Sequence, residues 1–344
     1  MKAFRFHGSK SGARLDEVSQ PKVDSDREVL LKVAGAGVCK TDLHILDGLF
    51  DRMISHVPFT LGHESVGWVE EPGQEPGHLR KGDPVIIYPQ STCGLCTACR
   101  EGKDMSCERG KFYGLDGTDG GFAEYIKVSA RCVVPVPKGE DLVTLAPMAD
   151  AGLTAYHCVR GVVHELKTSG RVVVIGVGGV GQTAIQLLRL MTPAEIIAVD
   201  VAESRLRIAE EMGADHSVVS ADDQDSLSKE LLSLTQGRGA EVVMDLVGES
   251  STAKLALEVL ARGGLYSVVG YGGDVSLPTM QLVASQVRIQ GNLVGTYSEL
   301  VELVKIFVKR GLKVRVEKRG LDEVEDTLSD LRKGAISGRA VLVP

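Results

Sequence analysis

The sequence has 344 residues, a net charge of −7 and no basic cluster, which argues against nucleic acid and anionic membranes as partners. It shows neither a transmembrane run of roughly 20 apolar residues nor the long apolar core of a signal peptide, so we expect a cytoplasmic protein. A chain of this length exceeds what one hydrophobic core usually holds, and two domains are therefore expected.

The first 150 residues predict a β-rich domain made of short strands that are separated by glycine and proline turns. Turn signals occur at Glu71-Pro72-Gly73 and at Pro76-Gly77. The only tryptophan, Trp68, lies within a predicted strand and is expected to pack in the core. The predicted strands are Glu28–Val33, Val66–Glu70, Asp83–Tyr88 and Phe122–Val128.

Two short segments of this half contain candidate ligands of a catalytic zinc ion. Cys39 and His63 are suitable ligands, and Glu64 could be an alternate ligand or could support the site from behind. Asp42 could orient His63 by accepting its second ring N–H, as metal-bound histidine usually requires. Both segments also have an ordinary interpretation, because Gly62-His63-Glu64 could be an exposed turn and Asp42 could cap a helix.

Four of the seven cysteines are clustered in residues 93–107. Their short spacing, with glycine turns between them, suits a tetrahedral Zn²⁺ site that is closed and therefore structural. An iron–sulfur cluster is the rival interpretation, but the chain offers no second cluster and no further electron-transfer signature, so zinc is favoured. Cys132 and Cys158 are expected to be buried apolar residues. The clustered cysteines are Cys93, Cys96, Cys99 and Cys107.

From residue 151 onwards the pattern changes to a regular alternation of apolar strands and amphipathic helices. Six strands separated by helices predict a parallel, doubly wound sheet, so the fold class is α/β. Two last strands, Lys313–Lys318 and Ala340–Val343, are predicted to return to the first domain. The predicted domains are residues 1–150 with 292–344, which include the cysteine lobe, and residues 151–291.

The individual elements of this second half follow from the same alternation. The predicted helices are Ala151–Leu166, Val180–Met191, Glu203–Met212, 225–235, 250–261 and Ser298–Lys309. The predicted strands are Arg171–Ile175, Ile196–Asp200, His216–Val219, Glu241–Asp245, Leu265–Val269 and Val287–Gly291.

The strand that ends at Ile175 runs into a G-x-G-x-x-G turn that opens a helix. Its glycines and the free N–H groups of the helix N-terminus suit the pyrophosphate of a dinucleotide. The next strand ends at Asp200, where an acid can bind the ribose 2′-hydroxyl. Asp200 would repel a 2′-phosphate, which favours NAD over NADP, although Arg205 lies nearby. The turn consists of Gly176, Val177, Gly178, Gly179, Val180 and Gly181.

In this order, the motifs make the whole chain resemble the zinc-dependent medium-chain alcohol dehydrogenases. The resemblance rests on Gly37-Val38-Cys39 followed by Thr41 and Asp42, on Gly62-His63-Glu64, on the cysteine lobe, and on the glycine turn with Asp200. It implies a GroES-like catalytic domain joined to a Rossmann domain, two Zn²⁺ ions per chain, and a homodimer or homotetramer. It also implies hydride transfer between an alcohol and NAD, which reversibly gives the ketone or aldehyde.

The resemblance also implies roles for single residues. Cys39 and His63 match catalytic zinc ligands, and Thr41 matches the hydroxyl that takes the substrate's proton. His44 matches the imidazole that passes this proton to solvent through the cofactor ribose. Lys40 and Arg339 match contacts to the pyrophosphate, and two backbone segments match the lining of the nicotinamide. These segments are Val269-Gly270 and Leu293-Val294-Gly295.

Asp150 departs from the family pattern. Many members place a cysteine before Ala-Gly-x-Thr-x-Tyr as the third zinc ligand, whereas this chain has Asp150 before Ala151-Gly152-Leu153-Thr154-Ala155-Tyr156. A carboxylate is a competent zinc ligand and carries the same charge as a thiolate. In this respect the chain resembles bacterial secondary-alcohol dehydrogenases, and the implied substrates are secondary alcohols, their ketones and some aromatic carbonyls.

Two other functions remain open. A polyol or threonine dehydrogenase of the same fold is the alternative within enzymes, because the scattered residues of the substrate pocket decide between them. A non-catalytic nucleotide-binding zinc protein is the alternative from another class, and the presence of Cys39, Thr41, His44 and His63 argues against it. Metal analysis separates these readings, since the enzyme requires two zinc ions per chain and the structural site alone requires one.

Overall fold

A computed structural model describes residues 1–73, 79–220 and 223–344, so the turn predicted at Pro76-Gly77 lies outside the described residues. The chain folds into two compact units. The first consists of Met1–Leu153 and Thr296–Pro344, and the second of Thr154–Gly295. The domain boundaries predicted from the sequence, residues 1–150 with 292–344 and residues 151–291, stay a prediction.

The first unit is built mainly of short strands with short helices between them. Its strands before residue 150 are β1 (Lys2–Phe6), β2 (Ala13–Glu17), β3 (Glu28–Gly37), β4 (Phe59–Thr60), β5 (Glu64–Pro72), β6 (Pro84–Ile87), β7 (Gln90–Ser91), β8 (Lys111–Phe112), β9 (Tyr125–Ser129) and β10 (Val133–Pro135). The helices of this part are α1 (Lys40–Leu46), α2 (Thr97–Arg100) and α3 (Leu142–Leu145).

Strand β3 is the centre of the main sheet of this unit. It pairs antiparallel with β5, and Gly37 at its end lies opposite Glu64 at the start of β5. The two residues that flank this paired end, Cys39 after β3 and His63 before β5, are thereby brought to the same edge of the sheet. Beyond β5 the sheet continues through β6 to β10, and β9 pairs with β3 as well.

Trp68 was expected in the core, and this expectation was wrong. Its side chain is 42% exposed, whereas the next residue of β5, Val69, is buried. Trp68 pairs with Lys32 of β3, which is also exposed. The alternation of a strand places both side chains on the outer face of the sheet, which is exposed at this point. Cys132 and Cys158 are buried, as predicted.

The second unit alternates strands and helices. It begins within α4 (Ala151–Val162), and the elements that follow are β11 (Arg171–Ile175), α5 (Gly179–Met191), β12 (Glu195–Asp200), α6 (Glu203–Met212), β13 (His216–Val219), α7 (Gln224–Leu234), β14 (Ala240–Asp245), α8 (Ser250–Val259), β15 (Leu260–Val268), α9 (Thr279–Ser285) and β16 (Arg288–Gly291).

The strands of the second unit form a parallel sheet in the order β13-β12-β11-β14-β15-β16. Its central strands β11, β12 and β14 carry apolar runs over residues 172–175, 196–199 and 242–244, because helices cover both faces of such a sheet. Val173, Ile197 and Val243 are fully buried in its core. The order of the strands reverses between β11 and β14, as in a doubly wound fold, and the predicted α/β fold class is therefore confirmed.

The chain then returns to the first unit through α10 (Tyr297–Arg310), β17 (Val316–Gly320), α11 (Val324–Arg332) and β18 (Arg339–Val343). Strand β18 pairs antiparallel with β3, with Val341 opposite Gly37, and β17 pairs in parallel with β18. Arg339 at the start of β18 is therefore placed near the edge of the sheet at which Cys39 and His63 meet. None of the helices in the described ranges combines the length and the hydrophobicity that a membrane span requires.

Candidate active site and metal centres

Three side chains that are far apart in the sequence converge at the end of β3. The Sγ atom of Cys39 lies 3.9 Å from Oδ2 of Asp150, and Nε2 of His63 lies 3.5 Å from the same oxygen. Ligand atoms of a tetrahedral Zn²⁺ with bonds of about 2.0–2.3 Å would lie roughly 3.3–3.6 Å from one another. The three atoms are therefore spaced closely enough for one ion to bind all of them.

His63 shows that this cluster suits a cation. Both of its ring nitrogens are buried and make no hydrogen bond with any described residue. Burial by itself would lower the pKa of His63, but the carboxylates of Asp42 and Asp150 outweigh this effect and raise the pKa well above its ordinary value. A positive charge at this position is thus stabilised, and Zn²⁺ bound to Cys39, His63 and Asp150 would supply it.

Helix α1 supplies the residues that surround this cluster. Asp42 is fully buried, accepts a 2.8 Å hydrogen bond from the backbone N–H of Cys39, and places Oδ1 at 3.4 Å from Nδ1 of His63. One carboxylate thereby fixes the loop that carries Cys39 and lies beside Nδ1 of His63, where the second ring N–H of a metal-bound histidine needs an acceptor. Thr41 is near the cluster, with its hydroxyl 3.7 Å from Sγ of Cys39. His44 is one helical turn from Thr41, on the same face of α1.

Glu64 and Arg339 form a buried ion pair behind the cluster. Nε of Arg339 donates a 2.9 Å hydrogen bond to Oε2 of Glu64, and Nη2 of Arg339 donates to Oε1 of the same carboxylate. Glu64 also accepts a 2.9 Å hydrogen bond from the backbone N–H of Ala151, and Arg339 lies 4.0 Å from Oδ2 of Asp150. Glu64 is not among the three residues whose ligand atoms converge. Zinc ligation by Glu64 and a pyrophosphate contact of Arg339 stay predictions.

The four clustered cysteines also converge. Their Sγ atoms all lie within 4.8 Å of one another, and those of Cys96 and Cys107 are 4.0 Å apart. Tetrahedral Zn²⁺ with bonds of about 2.3 Å would separate the sulfurs by roughly 3.8 Å. No disulfide links these thiols, all of which are described. The donor set therefore fits a closed Zn²⁺ site.

The ionisation of these thiols supports the same conclusion. Backbone N–H groups of Leu95 and Cys96 donate to the sulfur of Cys93 and lower the pKa of Cys93 to about 6. Burial and the neighbouring thiols raise the pKa of Cys99 to about 12. Close thiolates repel one another, so all four can ionise together only if a cation lies between them.

The glycine turn has the geometry that phosphate binding requires. Gly176 has a φ of 95°, which only glycine adopts easily, and a Cβ at Gly181 would overlap the carbonyl oxygen of Gly176. A Cβ at Gly178, by contrast, would meet no described atom within 4 Å, so this backbone is open to a ligand. Gly178 caps helix α5, and Gly179 and Val180 form its first turn.

Asp200 lies at the end of β12 with 6% of its surface exposed. Its Oδ2 accepts a 2.7 Å hydrogen bond from the N–H of Val177 in the glycine turn, and Oδ1 accepts one from the N–H of Ala202. Arg205 lies 3.6 Å from Oδ1. The carboxylate therefore helps to shape the turn in addition to the ribose contact predicted for it.

The other residues predicted to contact NAD lie on loops and at strand ends. Val269 and Gly270 follow β15, and Lys40 is exposed at the start of α1. Leu293 is 54% exposed, and Val294 has a φ of 49°, which is rare for a β-branched residue. Their contacts to a cofactor stay predictions.

Comparison with known proteins gives the family. Residues 25–138 match the alcohol dehydrogenase GroES-like domain, and residues 179–309 match the zinc-binding dehydrogenase domain. An NAD-dependent alcohol dehydrogenase of Sulfurisphaera tokodaii is 34% identical over 100% of both chains. The chain belongs to the zinc-binding alcohol dehydrogenase family. The resemblance inferred from the sequence is therefore confirmed.

Solved structures of this family are similar over the full chain. The alcohol dehydrogenase of the archaeon Aeropyrum pernix has a TM-score of 0.96 and 44% identity, with 100% of each chain covered. The acetophenone reductase of Geotrichum candidum, solved with NAD, has a TM-score of 0.87 and 30% identity, and the match covers 100% of this chain and 97% of that one.

Proposed function

We propose that this family member transfers a hydride between an alcohol and NAD at a catalytic zinc site formed by Cys39, His63 and Asp150. The observation that carries the proposal is the convergence of these three ligand atoms within 4.8 Å of one another. Three protein ligands leave one position of a tetrahedral ion for the substrate, which is the arrangement of a catalytic site. One thiolate, one carboxylate and a neutral imidazole balance the charge of Zn²⁺.

Zinc in this site would supply a Lewis acid that lowers the pKa of an alcohol hydroxyl. The chain's own residues would then orient the alcohol and remove its proton. The hydroxyl of Thr41 lies close to Cys39 and is the group that would accept this proton. Asp42 would hold the imidazole of His63 in position from the opposite side.

His44 is suited to receive the proton from Thr41. Burial and the nearby charge of Lys40 lower the pKa of His44, so its imidazole is neutral at pH 7 and can act as a base. When the imidazole of His44 is neutral, Thr41 and His44 on one face of α1 can form a path for the proton. Replacement of His44 by glutamine should slow alcohol oxidation most near pH 7, where the parent's imidazole is neutral, and the difference should shrink at acidic pH, where the parent's His44 is protonated as well. A pH profile parallel to that of the parent would contradict this path.

NAD would supply the hydride acceptor, and the second unit would hold it. The open backbone at Gly178 and the N-terminus of α5 are the expected pyrophosphate site. Asp200 is the expected partner of the ribose 2′-hydroxyl, and its charge disfavours the 2′-phosphate of NADP. Arg205 beside Asp200 weakens that discrimination.

Secondary alcohols and aromatic carbonyls are the proposed substrates. The name of one relative, acetophenone reductase, describes an aromatic ketone as the substrate of that protein. Asp150, through which the chain resembles the bacterial secondary-alcohol dehydrogenases, supports the same substrate class. A polyol or threonine dehydrogenase is the runner-up, and the following assay separates it from the leading proposal.

The decisive experiment is turnover of a substrate panel by the purified chain with NAD and with NADP, followed by the absorbance of the reduced nicotinamide. The panel contains primary, secondary and aromatic alcohols, polyols and threonine. We expect turnover of secondary or aromatic alcohols with NAD as the better cofactor, and metal analysis of the same sample should give two zinc ions per chain. Preference for polyols or threonine would establish the runner-up. If no substrate is turned over and the sample contains only one zinc ion per chain, both the alcohol dehydrogenase and the runner-up are excluded.

We further propose that the chain forms a homodimer or homotetramer in a cytoplasmic, thiol-reducing compartment. Strand β16 lies at the edge of the parallel sheet, and Ile289 on it is 43% exposed. Met280 and Val283 of the neighbouring helix α9 are 79% and 73% exposed. Such an apolar edge suits pairing with a second copy. A solution mass equal to the 36.7 kDa of one chain would contradict this assembly.

A further inference from the structure

Asp245 occupies a central position in the parallel sheet that the sequence analysis did not single out. It is the last residue of β14, opposite Ile175 of β11, at the point where the order of the strands reverses. Ligands of open α/β sheets bind outside the carboxyl ends of the strands at this point. Asp245 itself is fully buried and therefore cannot be a ligand contact.

The carboxylate of Asp245 accepts four hydrogen bonds from neutral groups. Oδ1 accepts from the backbone N–H groups of Val247, at 3.0 Å, and Gly248, at 2.9 Å. Oδ2 accepts from the hydroxyls of Thr252 and Tyr266, each at 2.8 Å. Burial and the Asp245 carboxylate raise the pKa of Tyr266, so the phenol keeps its proton and donates. One oxygen thus holds a turn, and the other is anchored to α8 and β15.

The same residue also holds a second turn. The backbone carbonyl of Asp245 accepts hydrogen bonds from the N–H groups of Val269, at 2.9 Å, and Gly270, at 3.1 Å. Val269 and Gly270 follow β15 and are the residues that the resemblance places beside the nicotinamide. Asp245 therefore fixes residues 246–248 through its side chain and residues 269–270 through its main chain.

The two turns are packed backbone against backbone, with no space between them. A Cβ at Gly248, whose φ is 75°, would overlap the carbonyl carbon of Gly270, and a Cβ at Gly270 would overlap that of Val247. The other side of the Val247 turn faces the glycine turn, because a Cβ at Gly176 would lie 2.8 Å from Cγ2 of Val247. The turns after β11, β14 and β15 are therefore packed in one continuous row, and a displacement of Val247 would move the two neighbouring turns.

We propose that Asp245 is a positioning residue for the cofactor, and that its carboxylate holds this row of turns in the conformation that binds NAD. The inference rests on the proposed function, because it assumes that NAD binds along these turns. Without this acceptor, the N–H groups of Val247 and Gly248 would be buried and unpaired, and the turn would have to shift or admit water to satisfy them. The consequence would be weaker binding of the cofactor while both zinc sites, which lie in the first unit, stay intact.

The test measures the NADH dissociation constant and the zinc content of full-length variants, at a temperature well below their melting temperatures. Asp245→Ala removes the acceptor of Val247 and Gly248, and we expect the dissociation constant to rise about ten-fold or more, since preorganisation of the site is lost. Asp245→Asn keeps an oxygen acceptor but loses its charge, and we expect a rise of about three-fold, because a charged acceptor is roughly twice as strong. Zinc content should equal that of the parent.

Thr235→Val is the matched control, because Thr235 is buried in the second unit and its hydroxyl accepts a 3.1 Å hydrogen bond from the backbone N–H of Gly239, before β14 and away from the turns. It removes one buried acceptor of a backbone N–H and should lower the melting temperature while NADH binds as in the parent. Equal loss of affinity in Thr235→Val and Asp245→Ala would overturn the proposal, because general loosening would then explain both. Parent-like affinity in Asp245→Ala would overturn it too. If Asp245→Ala does not fold, parent-like affinity in Asp245→Asn is the overturning result. A parent that does not bind NADH contradicts the proposed function instead.

Discussion

Replacement of Asp150 by alanine is expected to remove the catalytic zinc and to lower kcat/KM for alcohol oxidation by about a thousand-fold, since the Lewis-acid contribution amounts to several kcal/mol. Asp150 supplies an oxygen that lies 3.9 Å from Sγ of Cys39 and 3.5 Å from Nε2 of His63. Without it, two protein ligands remain, which is fewer than a catalytic site normally offers. Metal analysis should show one zinc ion per chain instead of two.

Asp150→Cys is the control for this experiment. A thiolate carries the same charge as the carboxylate and is an equally competent ligand, so this variant should keep two zinc ions and a measurable rate. Arg339, 4.0 Å from Asp150, would still face a negative charge in this variant. Unchanged zinc content and rate in Asp150→Ala would exclude Asp150 from the metal site.

Replacement of Cys96 by serine is expected to remove the other zinc ion and to lower the melting temperature by roughly 10–20 °C, since loss of a metal is among the few single changes that cost about 4–5 kcal/mol or more. The lobe at residues 93–107 has little apolar interior of its own, and Leu95 at its surface is 65% exposed. Its fold therefore depends on the bonds between the sulfurs and the metal.

Cys132→Ala tests whether this effect belongs to the metal. Cys132 is fully buried in the same unit, but its Sγ faces the carbonyl oxygen of Gln90 rather than the four clustered thiols. This variant should keep two zinc ions, and its melting temperature should change less than that of Cys96→Ser. Two zinc ions in Cys96→Ser, or a larger loss of stability in Cys132→Ala, would contradict a structural metal in the lobe.

The second unit was the most predictable part of the fold. The bounds of β11, α6 and β13 agree with the sequence prediction, and most other elements of this unit differ by one or two residues. Amphipathic helices and the apolar runs of the central strands leave strong local patterns, because β11, β12 and β14 are buried on both faces. There are three exceptions: helix α9 was not predicted, helix α4 ends at Val162 rather than at Leu166, and strand β15 begins at Leu260 and passes through a bulge near Ala240 of β14. A bulge leaves little trace in the hydrophobic pattern.

The first unit was less predictable. Strands β1 and β2 and helices α1 and α11 were not foreseen. Strand β1 has five residues and pairs with β2 on one side and with β4 on the other. Short elements of this kind are stabilised by tertiary contacts more than by their own periodicity. The prediction that Trp68 lies in the core was wrong for a related reason, since the face of the sheet on which Trp68 lies is set by the pairing of β5 with β3, in which Trp68 is opposite Lys32.

The sequence by itself determined the chemical groups of the site. The thiol of Cys39, the imidazole of His63, the four clustered cysteines and the glycine turn could be recognised because their residue types and local spacing are fixed by the chemistry of zinc and of pyrophosphate.

Only the tertiary structure decided which of these groups meet. The antiparallel pairing of β3 with β5 brings Cys39 to His63, and the pairing of β18 with β3 brings Arg339 to Glu64 rather than leaving it free at the surface. The role of Asp245 emerged in the same way, from two turns that approach each other only in the folded sheet. Contacts between distant segments depend on strand register and close packing, and no local pattern of residues records either of them.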